Sequence, residues 1–143
     1  MLAEIEIARR WVAKARNDLL NPDNNLVSAR VPSDTVCFHC QQASEKLLKA
    51  ALAAQGVPPP RTHILMLLAD QLADSIPTIE ELDNDLAILT AYAIAARYPD
   101  DDFGMPTLED AHEARQCAER VLTWLQKECP DLTSDDITGK NSP

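Results

Sequence analysis

The stretch between Pro32 and Gly56 constrains the fold of this chain more than any other. Its apolar residues recur at alternating spacings of four and three positions, as Val36, Cys40, Ala43, Leu47, Ala50 and Ala54. This spacing places them on one face of a helix. We therefore predict a long helix over residues 33–55, with Ser33 as its N-cap and Gly56 closing its C-terminal end. One continuous apolar face is typical of a helix in an antiparallel bundle.

Four further stretches have the same helical period, at residues 2–20, 63–75, 78–97 and 107–128. Thr62 is the expected cap of the third helix, whose predicted apolar stripe consists of Ile64, Leu67, Leu68 and Leu72. The sequence from Thr78 to Glu81 fits a capping box for the fourth helix. Turn-forming residues cluster around Pro22, so we predict a loop over residues 21–32.

Composition agrees with a helical fold. The chain has only 3 glycines and 4% aromatic residues, whereas barrels and sandwiches need turn glycines and strand aromatics. We expect an all-α fold, an up-and-down bundle of four main helices plus one short helix, over residues 1–129. Residues 130–143 contain few apolar side chains, and we expect them to form a disordered tail.

The net charge of −10 excludes a general nucleic-acid coat protein. The charge is uneven, because residues 1–70 carry 8 basic and 7 acidic groups whereas residues 71–143 carry 5 and 16. A local phosphate site in the first half is therefore compatible with the composition. Residues 1–16 are charged throughout, and no apolar run approaches ~18 residues. We expect a cytoplasmic protein without membrane contact, whose cysteines are reduced.

A polar ridge on the second predicted helix is the first candidate site. His39, Gln42, Lys46 and Lys49 follow one another at spacings of three, four and three positions, beside the apolar stripe. Such a row could hold a phosphate or a nucleobase. The alternative is a solvated helix flank on which Glu45 and Lys49 form an ion pair across one turn.

Two arginines near helix ends are further candidates. Arg61 precedes the third helix, where free N–H groups favour an anion. It could instead be an exposed side chain beside a simple cap. Arg97 lies at the end of the fourth helix and could bind phosphate while Tyr98 packs against a base. Alternatively, Arg97 complements the helix dipole and the acidic run at residues 100–102.

The cysteines allow two interpretations. Cys37 and Cys40 lie three positions apart and could bind zinc together with Cys117, Cys129 or His112. However, Cys40 belongs to the apolar stripe and the second half of a zinc knuckle is missing. We interpret these cysteines as core thiols and expect no metal and no cofactor. The sequence also has no P-loop, nucleophile elbow or dinucleotide-binding glycine motif.

Three blocks of sequence, taken together, resemble a known family. They read CFHCQQASEKLLKA at residues 37–50, PRTH at residues 60–63 and YAIAARYPD at residues 92–100. They are similar, in this order, to the central helix, the next segment and the third signature of HEPN domains (higher eukaryotes and prokaryotes nucleotide-binding). The first helix, around Trp11, looks like the family's opening, and the resemblance covers about residues 5–128.

The resemblance implies a bundle of four to five helices that forms a homodimer. Our first expectation is a module that binds a nucleotide or phosphate ligand and works with a minimal nucleotidyltransferase partner. The alternative is a metal-independent ribonuclease toxin of a HEPN/nucleotidyltransferase toxin–antitoxin pair. A second alternative is a non-catalytic helical dimer or adaptor.

Nuclease members of the family carry an arginine followed, after four to six residues, by a histidine. Here the first histidine after Arg97 is His112, so that motif is absent. We therefore assign no catalytic residue on the basis of this resemblance. If the chain cleaves RNA, Arg97 would bind the phosphate and His39 or His63 would transfer protons. Tyr98 could also accept AMP from a nucleotidyltransferase partner.

Overall fold

The structure, a computed structural model, describes residues 2–97 and 104–134, without the side chains of residues 96 and 97. The elements are α1 Leu2–Leu26, α2 Ser33–Ala54, α3 Leu65–Leu72, a 3-10 helix Pro77–Leu82, α4 Asp83–Arg97, α5 Leu108–Glu128 and α6 Pro130–Thr133. The described residues contain no strand. The predicted all-α bundle is thus confirmed. No helix within these two ranges has both the length and the apolar character needed to cross a bilayer.

Helix α2 is the centre of the bundle, because it packs against α1, α3, α4 and α5. Leu47, Leu48 and Leu52 on this helix have no exposed surface. Both α1 and α2 contain fully buried alanines, including Ala15 and Ala43. Small side chains in such positions let two helices approach closely. Gln41, Glu45 and Lys49 are among the polar side chains of this helix that are buried.

Helix α1 extends beyond the predicted end at residue 20 and continues through Pro22 to Leu26. The prediction of a loop over residues 21–26 was therefore wrong. A proline inside a helix removes one backbone hydrogen bond. Tertiary contacts offset this cost here: Pro22 is buried, and Arg115 Nε of α5 donates to Asp23 Oδ1 over 2.7 Å.

Of the two caps predicted for α2, only the C-terminal one is confirmed. Gly56 has a φ of +77°, as expected of a residue that closes a helix, and its N–H donates to the Ala53 carbonyl. At the other end Ser33 is already helical and Pro32 is the N-cap, with no side-chain capping bond. The Asp34 carboxylate instead accepts from the Thr35 N–H.

The predicted capping box at Thr78 is also wrong. Residues 77–82 form the 3-10 helix, and α4 begins only at Asp83. The Thr78 hydroxyl accepts a hydrogen bond from Trp124 Nε1 of α5 at 3.1 Å. This hydroxyl therefore makes a tertiary contact instead of capping a helix. A full capping box is present instead at the start of α5, between Thr107 and Asp110.

Helix α3 is shorter than the predicted 63–75, because it begins at Leu65. Thr62 does not cap it, and its hydroxyl accepts from the N–H of Ile64. The buried stripe is Leu65, Leu68, Ala69 and Leu72, whereas Ile64 and Leu67 are about half exposed. The predicted stripe was therefore rotated by about one residue. His63, two residues before α3, is bound to Gln41 and Glu45 of α2.

Residues 130–133 also differ from the prediction of an unpacked tail. They form α6, in which Leu132 is buried. The Arg9 side chain of α1 donates to the Asp131 carbonyl over 3.0 Å. Residues 135–143 of the predicted tail lie outside the described residues.

The interpretation of the cysteines as core thiols is confirmed for three of them. Cys37, Cys40 and Cys117 are free and have no exposed surface. Desolvation raises the pKa of the Cys37 and Cys40 thiols to about 12. Within the described ranges, no group of three or more His, Cys, Asp or Glu side chains comes together in an arrangement that could hold a metal ion.

Candidate functional site

A row of buried polar side chains runs along α2. Gln41, Glu45 and Lys49 are spaced four residues apart and are only 6%, 3% and 6% exposed. Burial of a charge is costly unless a partner of opposite charge or several hydrogen bonds compensate it. The contacts of these three side chains therefore define the most constrained polar region among the described residues.

The Glu45 carboxylate binds two cations or potential cations at once. Its Oε2 accepts from Lys49 Nζ at 2.9 Å, and its Oε1 lies 3.0 Å from Nδ1 of His63. Lys49 Nζ also lies 5.4 Å from the centroid of the Trp11 ring, within the range of a cation–π interaction. The network thus joins α1, α2 and the segment that precedes α3.

His63 is held in place from two sides. A carboxylate can only accept, so the His63 Nδ1 donates to Glu45. The Gln41 side-chain amide donates to the His63 backbone carbonyl at 3.0 Å. The imidazole side chain itself is 70% exposed. With Nδ1 bound to Glu45, Nε2 is the ring nitrogen that can accept a proton or contact a ligand.

A groove opens beside His63, between α2, the start of α3 and α4. It has a volume of about 220 Å³ and is lined by Phe38, Gln41, His63, Ile64, Thr90, Ala93 and Ile94. This volume is below the roughly 300–1,000 Å³ of pockets that enclose a whole drug-sized ligand. The groove could therefore hold one ring, while the remainder of a ligand lies at its mouth. Arg97 follows Ala93 by one helical turn along α4.

Comparison with known families identifies the chain. A family model described as "HEPN domain" matches residues 8–129. The chain belongs to the HEPN family. This confirms the resemblance inferred from the three sequence blocks. No curated protein and no solved structure gave a significant match.

The predicted ridge of this HEPN domain does not form one site. Lys46 is ion-paired with Asp18 of α1, and His39 Nδ1 lies 4.0 Å from the other oxygen of the same carboxylate. These two side chains therefore belong to the contact between α1 and α2. Lys49 belongs to the buried row with Glu45 instead, and Gln42 is half-buried. The carboxylates of Asp18 and Glu45 already neutralise both lysines of the ridge.

The other predicted site residues are His63 at the groove, Arg61 just before it in the chain, and Arg97 and Tyr98, which the structure describes only in part or not at all. Arg61 is exposed and precedes His63 by two residues. It has no carboxylate partner within the two described ranges. The backbone of Arg97 is in α4, its side chain is not described, and Tyr98 lies outside the described residues. Of the predicted site residues whose side chains the structure describes, His63 lines the groove, and Arg61 precedes it by two residues along the chain.

Sequence reasoning missed the roles of Gln41 and Glu45. Glu45 was recognised only as the partner of Lys49 on a solvated flank, and that ion pair is present but buried. The signal that could have found the buried row is the repeat of polar residues at positions 41, 45 and 49, next to the apolar stripe. Spacing alone cannot tell a buried polar row from an exposed one.

Proposed function

We propose that this HEPN domain binds a nucleotide at the groove beside His63. One observation carries the proposal: a largely exposed imidazole is anchored at the mouth of a groove by a buried carboxylate and a buried amide. Anchoring of this kind reduces the entropy lost when the imidazole contacts a ligand.

The chemistry of the groove fits a base or ribose with its phosphate outside. Phe38, Ala93 and Ile94 offer apolar contact, and Gln41 and Thr90 add hydrogen-bonding groups. Nε2 of His63 and the guanidinium of Arg61, two residues earlier, would contact the phosphate. The net charge of −10 opposes long-range attraction of anions, so these local contacts have to supply the affinity.

The proposed partners follow from membership of the family. We propose that the domain forms a homodimer and works with a minimal nucleotidyltransferase. In such a pair, Tyr98 would be a candidate acceptor for AMP. An intact mass that gains no nucleotide after co-expression with that partner would argue against transfer to Tyr98.

Nucleotide binding is expected to depend on His63 and Arg61. Titration of AMP, UMP and inorganic phosphate into the purified chain, followed by calorimetry, should show that a nucleotide binds more tightly than phosphate alone. His63→Ala and Arg61→Ala should each weaken binding by about tenfold, the value of one charge-assisted contact. Arg16→Ala is the matched control, because Arg16 is an exposed arginine of α1. Equal affinity in His63→Ala and Arg16→Ala would contradict the proposal.

A ribonuclease is the second candidate, and the Glu45–His63 contact favours it. A carboxylate bound to Nδ1 orients an imidazole so that Nε2 can take the proton of an attacking 2′-hydroxyl. Arg97, farther along α4, would then stabilise the phosphate. His39 is less suitable, because its Nδ1 is buried and has no hydrogen-bond partner among the described residues.

Metal-free cleavage of labelled single-stranded RNA tests the second candidate. If the chain cleaves RNA, His63→Ala and Arg97→Ala should each lower the rate by about 100-fold or more. Glu45→Gln should change the pH profile of the rate. His39→Ala serves as the control and should retain activity. Cleavage that survives His63→Ala would exclude this mechanism, and absence of cleavage by the wild type would exclude the ribonuclease and leave the two non-catalytic alternatives.

A further inference from the structure

A second groove, away from His63, lies where α4 meets the start of α5. It has a volume of about 400 Å³, and its walls are mostly apolar, including Ala91, Ile94 and Ala95 of α4 and Met105 and Pro106 before α5. Ile94, Met105 and nearby Leu108 are each about half exposed. Single exposed apolar residues are ordinary, but their concentration beside an apolar groove is typical of a surface that a partner covers.

Carboxylates border this groove on the side of α5. Asp110 lines it directly, and Glu109 and Glu113 are exposed on the first turns of the same helix. The Tyr92 hydroxyl, also at the groove, donates to Glu113. The described lining residues include no lysine or arginine. Arg115, the first arginine of α5, is already paired with Asp23 and Glu119.

We propose that this groove docks a segment of a partner protein that presents an apolar side chain between lysines or arginines. The apolar side chain would fill the groove, and the basic residues would pair with Glu109 and Glu113. An acidic border repels nucleic acids and anionic lipid, so charge complementarity selects a basic polypeptide. This inference goes beyond the proposed nucleotide site, which lies on the other side of Ile94.

Ile94 connects the docking surface with the proposed nucleotide site. Ile94 lines both this groove and the groove beside His63. A segment bound between α4 and α5 would therefore contact a wall of the nucleotide site. Substitutions that test docking should avoid Ile94, so that failure of one proposal can be distinguished from failure of the other.

Fluorescence anisotropy with a labelled peptide, acetyl-Lys-Arg-Leu-Leu-Arg-Lys-amide, tests docking on the intact chain. This peptide should bind, with affinity that falls as salt increases. Peptides with glutamate in place of the basic residues, or serine in place of the leucines, should bind at least about tenfold more weakly. Met105→Ser should weaken binding of the parent peptide by about tenfold, and Glu113→Gln by roughly threefold.

The matched control is the double variant Glu80→Gln/Glu81→Gln, which removes two exposed carboxylates from the 3-10 helix. It should bind the peptide as the wild type does, beyond a small general effect of charge. Equal losses in this control and in Glu113→Gln would overturn the proposal, as would absence of peptide binding. Self-association that Met105→Ser abolishes would also overturn it, because a second copy would then occupy the groove.

Discussion

Replacement of Glu45 by alanine is expected to lower the free energy of unfolding by about 3–5 kcal/mol, the usual cost of breaking a buried ion pair. Lys49 would keep a charge that is only 6% exposed and would lose its carboxylate partner. His63 would also lose the contact that anchors its ring. Chemical denaturation of the wild type and of Glu45→Ala at pH 7 measures the difference.

Two variants separate the buried charge from other effects of this substitution. Glu45→Leu/Lys49→Met removes both charges and roughly keeps the volume, so it should be much more stable than Glu45→Ala, because a buried ion pair is worth little more than apolar residues of similar volume. Glu119→Ala breaks the exposed ion pair with Arg115 and should cost less than about 1 kcal/mol. Equal destabilisation by Glu45→Ala and Glu119→Ala would contradict the assignment of Glu45 to a buried network.

Leu47→Ala is expected to lower the free energy of unfolding by about 3–4 kcal/mol. Leu47 has no exposed surface and lies in the middle of α2, the helix that contacts four others. Its truncation removes apolar contacts and leaves a cavity that rigid neighbouring helices can fill only in part. Since domains of this kind are stable by only about 5–15 kcal/mol, the melting temperature should fall by roughly 10 °C.

Leu20→Ala is the matched control for Leu47→Ala. Leu20 is on α1 and is 55% exposed, so its truncation removes little buried surface and creates no cavity. Its expected cost is within about 0.5 kcal/mol, as for most surface substitutions. Calorimetric melting of both variants provides the comparison, and similar melting temperatures for the two would show that α2 is not the centre of the core.

The helices could be predicted where local chemistry alone decides them. The limits of α5 follow from Thr107 and Pro130, and the end of α2 follows from Gly56. The end of α1 could not be predicted in this way. Turn-forming residues near Pro22 favour a break locally, but burial of Pro22 and the Arg115–Asp23 contact outweigh that preference in the fold.

The site was predictable only in part. Family membership could be read from the chain, whereas the binding roles of Arg61, His63 and Lys49 stay predictions that their short motifs suggest. The sequence could not show that Lys46 and Lys49 belong to different ion pairs, because the pairing depends on which side of α2 faces Asp18 of α1. Helical spacing gives the relative angles of side chains around one helix but not the direction in which the bundle surrounds it.

The amino-acid sequence by itself determined that this protein is a helical HEPN domain, because helical period, caps and breakers act over a few residues. Only the tertiary structure decided that Gln41, Glu45 and Lys49 are buried and that Glu45 anchors His63 beside a groove. The physical reason is that burial and pairing of charges depend on contacts between residues far apart in the chain. Glu45 and His63 are 18 positions apart and meet only when α3 packs against α2.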